Sequence, residues 1–336
     1  MKRFLAAVIL LLAAAGAWLL FQGILDRPLA LPDDGLVIDV PVGTTLAALG
    51  ERLAAEGVLG SPRALRLHAR MQGQGNAIKA GEYELAPGTT PRKLLQQLVE
   101  GRAKLHSLTI IEGWTTHDLL LALRQAEPLV RQTLDGGPDG LAALLDLPAA
   151  GAEGWFFPDT YRFPRGTSDR DILRMAHLRM QQVLARAWEE RAPGLALQSP
   201  YEALILASII EKETGLDRER SQVAGVFLRR LQAGMKLQTD PTVIYGLGPG
   251  FKGSLGRRNL DQDTPYNTYT RMGLPPTPIS LPGEASIRAA LHPDDSDALY
   301  FVASPAADGS HVFSANLHEH NAAVKKYLEA LRKARP

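Results

Sequence analysis

The sequence contains no cysteine among its 336 residues. This absence excludes disulfide bonds, thiolate metal ligands and cysteine nucleophiles. It is compatible with an oxidising compartment, although many cytosolic proteins also lack cysteine. The chain also lacks an excess of charge, since 37 lysines and arginines stand against 36 aspartates and glutamates. Because electrostatic capture of nucleic acid needs a basic surface, we expect no nucleic-acid partner.

Long hydrophobic runs are scarce, and the one present is FLAAVILLLAAAGAWLLF at residues 4–21. As a helix it would be about 27 Å long, close to a bilayer core of about 30 Å. Lys2 and Arg3 precede it, which predicts a cytoplasmic N-terminus and translocation of the remaining chain. A cleaved signal peptide is the alternative, because AAAGA offers small residues to a peptidase. We favour an uncleaved single-pass transmembrane helix at 4–22, after a cytoplasmic tip at 1–3.

The remaining length is enough for about two domains. A linker rich in proline and aspartate is predicted at 23–35, followed by a subdomain at 36–104. Short strands (LVIDV, GEYEL, SLTII) each precede a Gly-containing turn and a helix, and Thr45, Thr90 and Thr116 are the expected N-caps. The pattern loosely resembles the LysM fold, which binds N-acetylated glycans; a packing or spacer role is the alternative.

A connecting β/helical region at 105–150 leads to a mixed α+β domain at 151–336, so the predicted fold class of the whole chain is α+β. The latter domain opens on EGWFFPDTYRF, which contains five aromatic residues around Pro158 and Asp159. Aromatic faces beside a carboxylate suit a sugar, which makes Asp159 a candidate binding residue. The alternative is a core strand that ends in a turn.

The stretch ASIIEKETG at 207–215 places Glu211 and Glu213 directly after an apolar run. A capping box at 199–202 predicts the start of a helix here, and Gly215 predicts its end. Because the two glutamates are two residues apart, they point about 200° apart around the helix axis. They therefore cannot face the same space.

The helical wheel separates the two glutamates. Glu211 falls among small residues such as Ala207 and Ser208, which leave room for a ligand, whereas Glu213 falls among bulky ones such as Ile209. Glu211 is therefore the expected cleft acid, with Glu213 as a supporting carboxylate. For Glu211 to be protonated near neutral pH, burial has to supply most of the increase in its pKa. The helix C-terminus opposes a negative charge by only about 0.3–1 kcal/mol. A solvated helix end is the alternative.

Two later segments are polar and aromatic with little apolar periodicity, and we expect loops there. Gln238, Thr239 and Asp240 precede a proline, and Tyr266, Asn267, Thr268 and Tyr269 follow one another. Such side chains can bind the hydroxyl and acetamido groups of an amino sugar, although turn-forming composition explains them equally well. A terminal strand pair, YFVAS and HVFSA, and a helix at 318–334 complete the chain.

Several long motifs occur in an order that closely resembles the MltG (YceG-like) family of endolytic murein transglycosylases. They are ASIIEKET, LQTDPTVIYG, YNTYTRMGLPP, ALHP, LYFVA and HVFSANLHEHN. The resemblance implies a catalytic acid/base within ASIIEKET, placed on Glu211, with binding or supporting roles for Tyr245 and the polar residues of these motifs. Thr277 departs from the glycine usual in the family, which puts one loop conformation in doubt.

The family chemistry implies cleavage of the MurNAc–GlcNAc β-1,4 bond, with the muramoyl 6-hydroxyl as nucleophile and 1,6-anhydro ends as products. One glutamate can then serve as acid and base, whereas a muramidase would need a second carboxylate, for which Asp240 is the candidate. A non-catalytic glycan-binding wall protein is a further alternative. A metalloenzyme is not favoured, because His318-Glu319-His320 matches no common ligand spacing, so we expect neither metal nor cofactor.

The resemblance also implies partners and a location. Peptidoglycan glycan strands are the expected substrate and peptidoglycan synthases are candidate partners. Together with the apolar run, it implies a single-pass protein of the cell inner membrane with its catalytic domain in the periplasm. There it would cut nascent strands and so terminate their elongation.

Overall fold

The computed structural model describes residues 2–132, 141 and 151–334 of the chain. Helices alternate with short paired strands, which confirms the α+β class. The chain divides into two compact units, one made of residues 1–107 with 162–167 and the other of 108–161 with 168–336. Part of the predicted connecting region, at 133–140 and 142–150, lies outside the described residues.

The first unit contains the N-terminal helix, two paired strands and three shorter helices. In chain order they are α1 (Lys2–Asp26), β1 (Leu36–Val40), α2 (Leu46–Ala55), α3 (Pro62–Met71), β2 (Gly81–Leu85) and α4 (Pro91–Glu100). Strands β1 and β2 are antiparallel, with Leu36 opposite Leu85 and Val40 opposite Gly81. The assignment of this unit as LysM-like stays a prediction.

Helix α1 is long and apolar enough to cross a membrane, with a mean hydropathy of 2.6 over an 18-residue window within Arg3–Asp26. A signal sequence would satisfy the same criterion. The helix extends beyond the predicted 4–22, and the predicted linker after it is partly structured. Leu25 and Leu29 are buried, and the Arg92 guanidinium donates to the Asp26 carboxylate at 2.9 Å. Because these contacts fasten the end of α1 to α4, the prediction of a free linker at 23–35 is wrong in its first part.

The second unit is mainly helical. Its elements are α5 (Thr116–Gln125), α6 (Asp169–Glu189), α7 (Pro200–Glu213), α8 (Asp217–Gln232), α9 (Asp240–Leu247), α10 (Arg257–Asp261), α11 (Glu284–Leu291), β5 (Tyr300–Ala303), β6 (His311–Ser314) and α12 (Leu317–Ala334). Strands β5 and β6 form the expected antiparallel pair. Two more strands, β3 (Leu105–Thr109) and β4 (Thr160–Pro164), pair with each other, and the division between the units falls within both.

Two of the three expected threonine caps are confirmed. Thr45 and Thr90 accept hydrogen bonds at the starts of α2 and α4. The third cap was placed one residue too late, because Thr115 caps α5 in a capping box with Asp118. Thr116 does not cap the helix, and its backbone N–H donates to the Glu153 carboxylate at 2.9 Å.

Helix α7 is the centre of the second unit's core. Ser199 caps it as predicted, and every residue from 203 to 210 is buried. It packs against α6, α8 and α11. The helix ends at Glu213, and Thr214 is already extended, so the chain leaves the helix before Gly215. A helix fixed on several sides holds its terminal side chains in place.

The two later segments predicted as loops contain two helices, so that prediction is wrong for α9 and α11, while the short α10 lies between the segments. Each has at most eight residues, which is too short for apolar periodicity to show. Helix α9 begins with Asp240 followed by Pro241, and α11 follows Gly283. Such residues are signals for the start of a helix. They were overlooked because the prediction used the overall composition of the segments.

The aromatic residues of EGWFFPDTYRF belong to the protein interior. Phe156, Phe157, Tyr161 and Phe163 are all buried, and the Tyr161 hydroxyl donates to the Phe157 carbonyl at 2.7 Å. The core interpretation is confirmed for these four residues, which cannot serve as a sugar platform, whereas Trp155 is half-buried.

Candidate active site

A cavity of about 500 Å³ opens at the C-terminal end of α7. Polar and apolar side chains both line it. The polar ones are Glu213, Arg230, Gln238, Asp240, Tyr269, His311 and His320, and the apolar ones include Leu237, Tyr300, Phe301, Val302, Leu317 and Val324. A cavity with convergent polar groups and an apolar remainder is a typical binding site.

The acidic group at the end of α7 is Glu213. As a residue it is partly exposed, but protein surrounds its carboxyl group, and this burial raises the pKa of Glu213 to about 7. The nearby Asp240 carboxylate raises the pKa further, whereas a hydrogen bond from the Thr239 hydroxyl and the charge of His311 lower it. A carboxyl group with this pKa is present in both protonation states near neutral pH.

A second carboxylate lines the same cavity. Asp240 is the first residue of α9, and its Oδ1 accepts a hydrogen bond from the Tyr269 hydroxyl at 2.5 Å. Burial raises the pKa of Tyr269, and the bond to Asp240 raises it further, so the phenol keeps its proton. The predicted binding residues Asp240 and Tyr269 are thus brought together beside Glu213.

Arg230 and Gln238 shape the next part of the cavity. The Arg230 guanidinium donates to the carbonyls of Leu237 and Leu299 at 2.9 and 2.7 Å and lies over the Tyr300 ring at 5.0 Å. Gln238 has a φ of +54°, a conformation that costs a non-glycine residue about 1–2 kcal/mol. Strained backbone of this kind is concentrated at functional sites.

His311 lines the cavity and is paired with Glu219, a pairing that the sequence did not reveal. His311 Nδ1 lies 2.8 Å from Glu219 Oε2, and the His311 backbone N–H donates to the same carboxylate at 3.1 Å. The two contacts fix the orientation of the imidazole ring. The two residues are far apart in the sequence, and although HVFSANLHEHN was noted as a motif, nothing in it names the partner of His311.

Glu211 occupies a different environment. Its Oε2 accepts the backbone N–H of Gly283 at 3.0 Å, and its Oε1 lies 3.9 Å from the Arg220 guanidinium. Only 6% of its side chain is exposed. Because Gly283 precedes α11, Glu211 joins the end of α7 to the start of α11. The helical wheel predicted that Glu211 faces the cleft and Glu213 the packing side. In the structure Glu213 lines the first cavity and Glu211 does not, so this prediction is wrong for that cavity.

Three further predicted residues support the cavity from behind. Thr239 and Thr268 are buried, and the Thr239 backbone N–H donates to the Thr268 hydroxyl at 3.0 Å. Asn267 is fully buried, donates to the Leu260 carbonyl and accepts from the Tyr269 backbone N–H at 2.8 Å. These side chains hold the segments that carry Asp240 and Tyr269, and buried atoms already satisfy their polar groups.

Tyr245 and Tyr266 line a second cavity, of about 670 Å³. Their rings meet edge to face at 4.9 Å, and the Tyr245 hydroxyl donates to Glu153 at 3.1 Å. Burial raises the pKa of Glu153 to about 7, although Thr116 and Tyr245 donate hydrogen bonds to it. The sequence did not single out Glu153, because its donors are distant in the chain.

The remaining prediction, Asp159, is not brought to either cavity. It is exposed, and its Oδ1 accepts the backbone N–H of Thr160 at 2.7 Å, as in a turn. Among the residues that the structure describes, no three histidine, aspartate or glutamate side chains lie close enough to share a metal ion.

We predict that the raised pKa of Glu153 makes the protein less stable as pH rises. An unfolded glutamate has a pKa of about 4.3, so the folded state binds more protons between that pH and about 7. Glu213 acts in the same direction, so Glu153→Gln should reduce, without abolishing, the fall in melting temperature between about pH 5 and pH 8. Tyr245→Phe removes a donor to the carboxylate and should steepen the fall. Equal pH slopes in wild type and Glu153→Gln would contradict this interpretation.

Comparison with known proteins identifies the family of the chain. Residues 38–326 match the YceG-like family. A Bacillus subtilis protein named endolytic murein transglycosylase is 31% identical over 314 residues, 87% of this chain and 85% of that protein. A Streptococcus pneumoniae protein of the same name is 27% identical, over 96% of this chain and 64% of its own. The crystal structure of a yceG-like protein from Listeria monocytogenes matches with a TM-score of 0.55. The two sequences are 30% identical, and the match covers 87% of this chain and 99% of that one. Because the family match covers well over half of its length, this chain belongs to the YceG-like family.

Proposed function

We propose that this protein is a lytic transglycosylase that cleaves the MurNAc–GlcNAc β-1,4 bond of peptidoglycan. The shared name of its relatives, endolytic murein transglycosylase, supports the substrate and the reaction. The observation that carries the residue assignment is the enclosed carboxyl group of Glu213, which lines a cavity large enough for sugar residues.

Glu213 is the proposed acid and then the base. Its carboxyl group gives its proton to the glycosidic oxygen as the bond to the muramoyl anomeric carbon breaks, and the electron pair stays with the leaving sugar. The anomeric carbon then has oxocarbenium character, and the muramoyl 6-hydroxyl attacks it. Its proton returns to the Glu213 carboxylate, which restores the acid and leaves a 1,6-anhydro end without water. One carboxyl group therefore completes the cycle.

Glu213 suits this role better than Glu211 for two reasons. Glu213 lines the cavity together with Asp240, Tyr269 and His311, which puts it beside groups that can bind a sugar. Glu211 instead uses its carboxylate to bind the backbone N–H of Gly283 and lies near Arg220. Its partners are already within the protein, so its role is to hold the end of α7.

The charges around Glu213 match the two states that it has to adopt. Asp240 opposes ionisation and favours the acid form, whereas His311 and the Thr239 hydroxyl favour the carboxylate that forms after proton transfer. In a cavity of low dielectric constant these opposing effects are stronger than in water. They hold the pKa near the value at which both proton donation and proton return are feasible.

The second candidate is a muramidase, and Asp240 is the observation that favours it. A hydrolase needs a second carboxylate to activate water or to act as nucleophile, and Asp240 lies in the same cavity as Glu213. The two reactions leave different ends: 1,6-anhydromuramoyl groups from a transglycosylase and reducing ends from a muramidase.

The location of the reaction follows from α1. We infer that α1 is an uncleaved anchor, that Lys2 and Arg3 remain on the cytoplasmic side, and that the chain after α1 lies outside the membrane. Contacts between Arg92 and Asp26 join the end of this helix to α4. An enzyme anchored in this way would cut nascent strands near the inner membrane and so limit their length, alongside the synthases that make them. A LysM-like first unit would add glycan affinity.

We predict that Glu213→Gln lowers the cleavage rate on purified peptidoglycan by at least about 10²–10⁴-fold, the usual contribution of a general acid. The amide has nearly the same shape as the carboxyl group but cannot donate a proton to the leaving oxygen. The matched variant Glu211→Gln keeps an oxygen that can accept the Gly283 N–H, so it should retain activity within about tenfold. The measurement is mass analysis of fragments released per unit time by the full chain in detergent.

Two results would reverse these assignments. If Glu211→Gln abolishes cleavage while Glu213→Gln does not, and both melt as the wild type does, the acid is Glu211. If wild type releases fragments with reducing ends and no 1,6-anhydro ends, the protein is a muramidase.

We also predict that the rate constant kcat/KM falls as pH rises above about 7, because Glu213 has to be protonated to act as the acid. The Asp240 carboxylate raises that pKa, so Asp240→Asn should shift the alkaline limb of the profile to lower pH, whatever it does to the maximum rate. His311 lowers the pKa, so His311→Asn should shift the limb to higher pH. If the alkaline limbs of the pH profiles coincide in the wild type, Asp240→Asn and His311→Asn, the proposal that these two residues set the pKa of Glu213 is refuted.

A further inference from the structure

The second cavity is linked to the first by helix α9. Asp240, the first residue of α9, lines the first cavity, whereas Ile244, Tyr245 and Gly248 line the second. A helix of eight residues is about 12 Å long, so the first cavity lies at the start of this short helix and the second lies along its C-terminal half. A linear polymer bound in the first cavity could reach the second along this helix.

The walls of the second cavity combine aromatic and apolar surface with a few polar groups. Tyr245, Tyr266 and Phe251 contribute rings, while Thr115 and Thr277 contribute hydroxyls. Sugar rings have apolar faces edged by hydroxyl groups, so a wall of this mixed kind is complementary to them. The volume of about 670 Å³ exceeds that of the first cavity.

The charge of the second cavity also restricts its ligand. Its described lining residues include the carboxyl-bearing Asp118 and Glu153 and the imidazole of His117, but neither lysine nor arginine. An anionic ligand would meet no fixed cation there. A neutral ligand with hydroxyl groups would meet the Asp118 carboxylate, one oxygen of which already accepts from Thr115 in the capping box.

Two large apolar side chains at this cavity are left open to solvent. Ile244 is 42% exposed and Leu121 is 41% exposed. Ile244 projects from the same helix that carries Asp240, so a ligand that covers it would extend directly from the first cavity. Covering such side chains stabilises a complex by removing apolar surface from water.

We propose that the second cavity is a distal subsite that binds an N-acetylglucosamine residue, the uncharged sugar, of the same glycan strand that is cut at Glu213. This proposal rests on the proposed function and adds a second binding site for the strand, away from the scissile bond. An enzyme that cuts within a strand has polymer on both sides of the cut, and the subsite holds one of those sides. Strands long enough to span both cavities are therefore bound more tightly than short oligosaccharides.

The test measures binding in the inactive Glu213→Gln background, using the full chain in detergent. The probes are peptidoglycan strands stripped of their peptides and short oligosaccharides of the same sugars. Adding Phe251→Ala or Ile244→Ala should weaken binding of long strands by about five- to tenfold relative to short ones, the effect of losing one buried contact. Leu178→Ala is the matched control, because Leu178 is 50% exposed on α6 and lines neither cavity. It should leave the ratio of the two affinities unchanged.

The proposal is overturned if both cavity variants, with unaltered melting temperatures, leave that ratio at the Glu213→Gln value. It is also overturned if the ratio changes only with strands that still carry peptides, since the ligand would then be a peptide. The binding ratio does not depend on catalysis. Absence of cleavage by the wild type would therefore refute the proposed function, while the affinity ratio still decides whether the subsite exists.

Discussion

The carboxyl group of Glu213 is enclosed by the protein at the last position of a helix that is packed into the core. Residues 203–210 of α7 are buried on every side, so the terminal side chain has a defined position. Enclosure of a carboxyl group costs free energy when it ionises, which is why its pKa rises to about 7. The same burial that stabilises the core therefore produces the acid.

The surrounding segments are arranged around this group. Thr239 donates to the Glu213 carboxylate and is itself held by Thr268, while Asn267 braces the loop that carries Tyr269. Arg230 ties the segment before α9 to the segment before β5 through backbone carbonyls. Most polar side chains of the motifs thus act on one another. The groups that remain available to a substrate are those that line the cavity.

The longer elements could be predicted from the sequence because their signals are local. Ser199 caps α7 as predicted, and β1, β2, β5 and β6 lie in the segments LVIDV, GEYEL, YFVAS and HVFSA that were predicted as strands. The choice between Glu211 and Glu213 could not be made in the same way. A helical wheel compares residues on one helix, whereas the cavity is formed by α8, α9, the Tyr269 loop, the terminal strands and α12. Ile209 and Ile210 are buried in the core, yet Glu213 extends beyond them.

Two sets of side-chain contacts could not be predicted from any local sequence pattern. His311 meets Glu219, and Glu153 meets Thr116 and Tyr245, across long separations in the chain. Composition could show that polar and aromatic residues were abundant downstream of α8, but not which of them would face a ligand. Asn267 and Thr268 look like sugar-binding residues in the sequence, and burial gives them a structural role instead.

The central claim is that one carboxyl group, Glu213, suffices because the nucleophile belongs to the substrate. Digestion of peptidoglycan by the wild-type protein in water enriched in oxygen-18, followed by mass analysis of the fragments, tests this most directly. Transglycosylation predicts fragments that end in 1,6-anhydromuramoyl groups and carry no heavy oxygen. Fragments with reducing ends labelled by oxygen-18 would show that water is the nucleophile and would contradict the account.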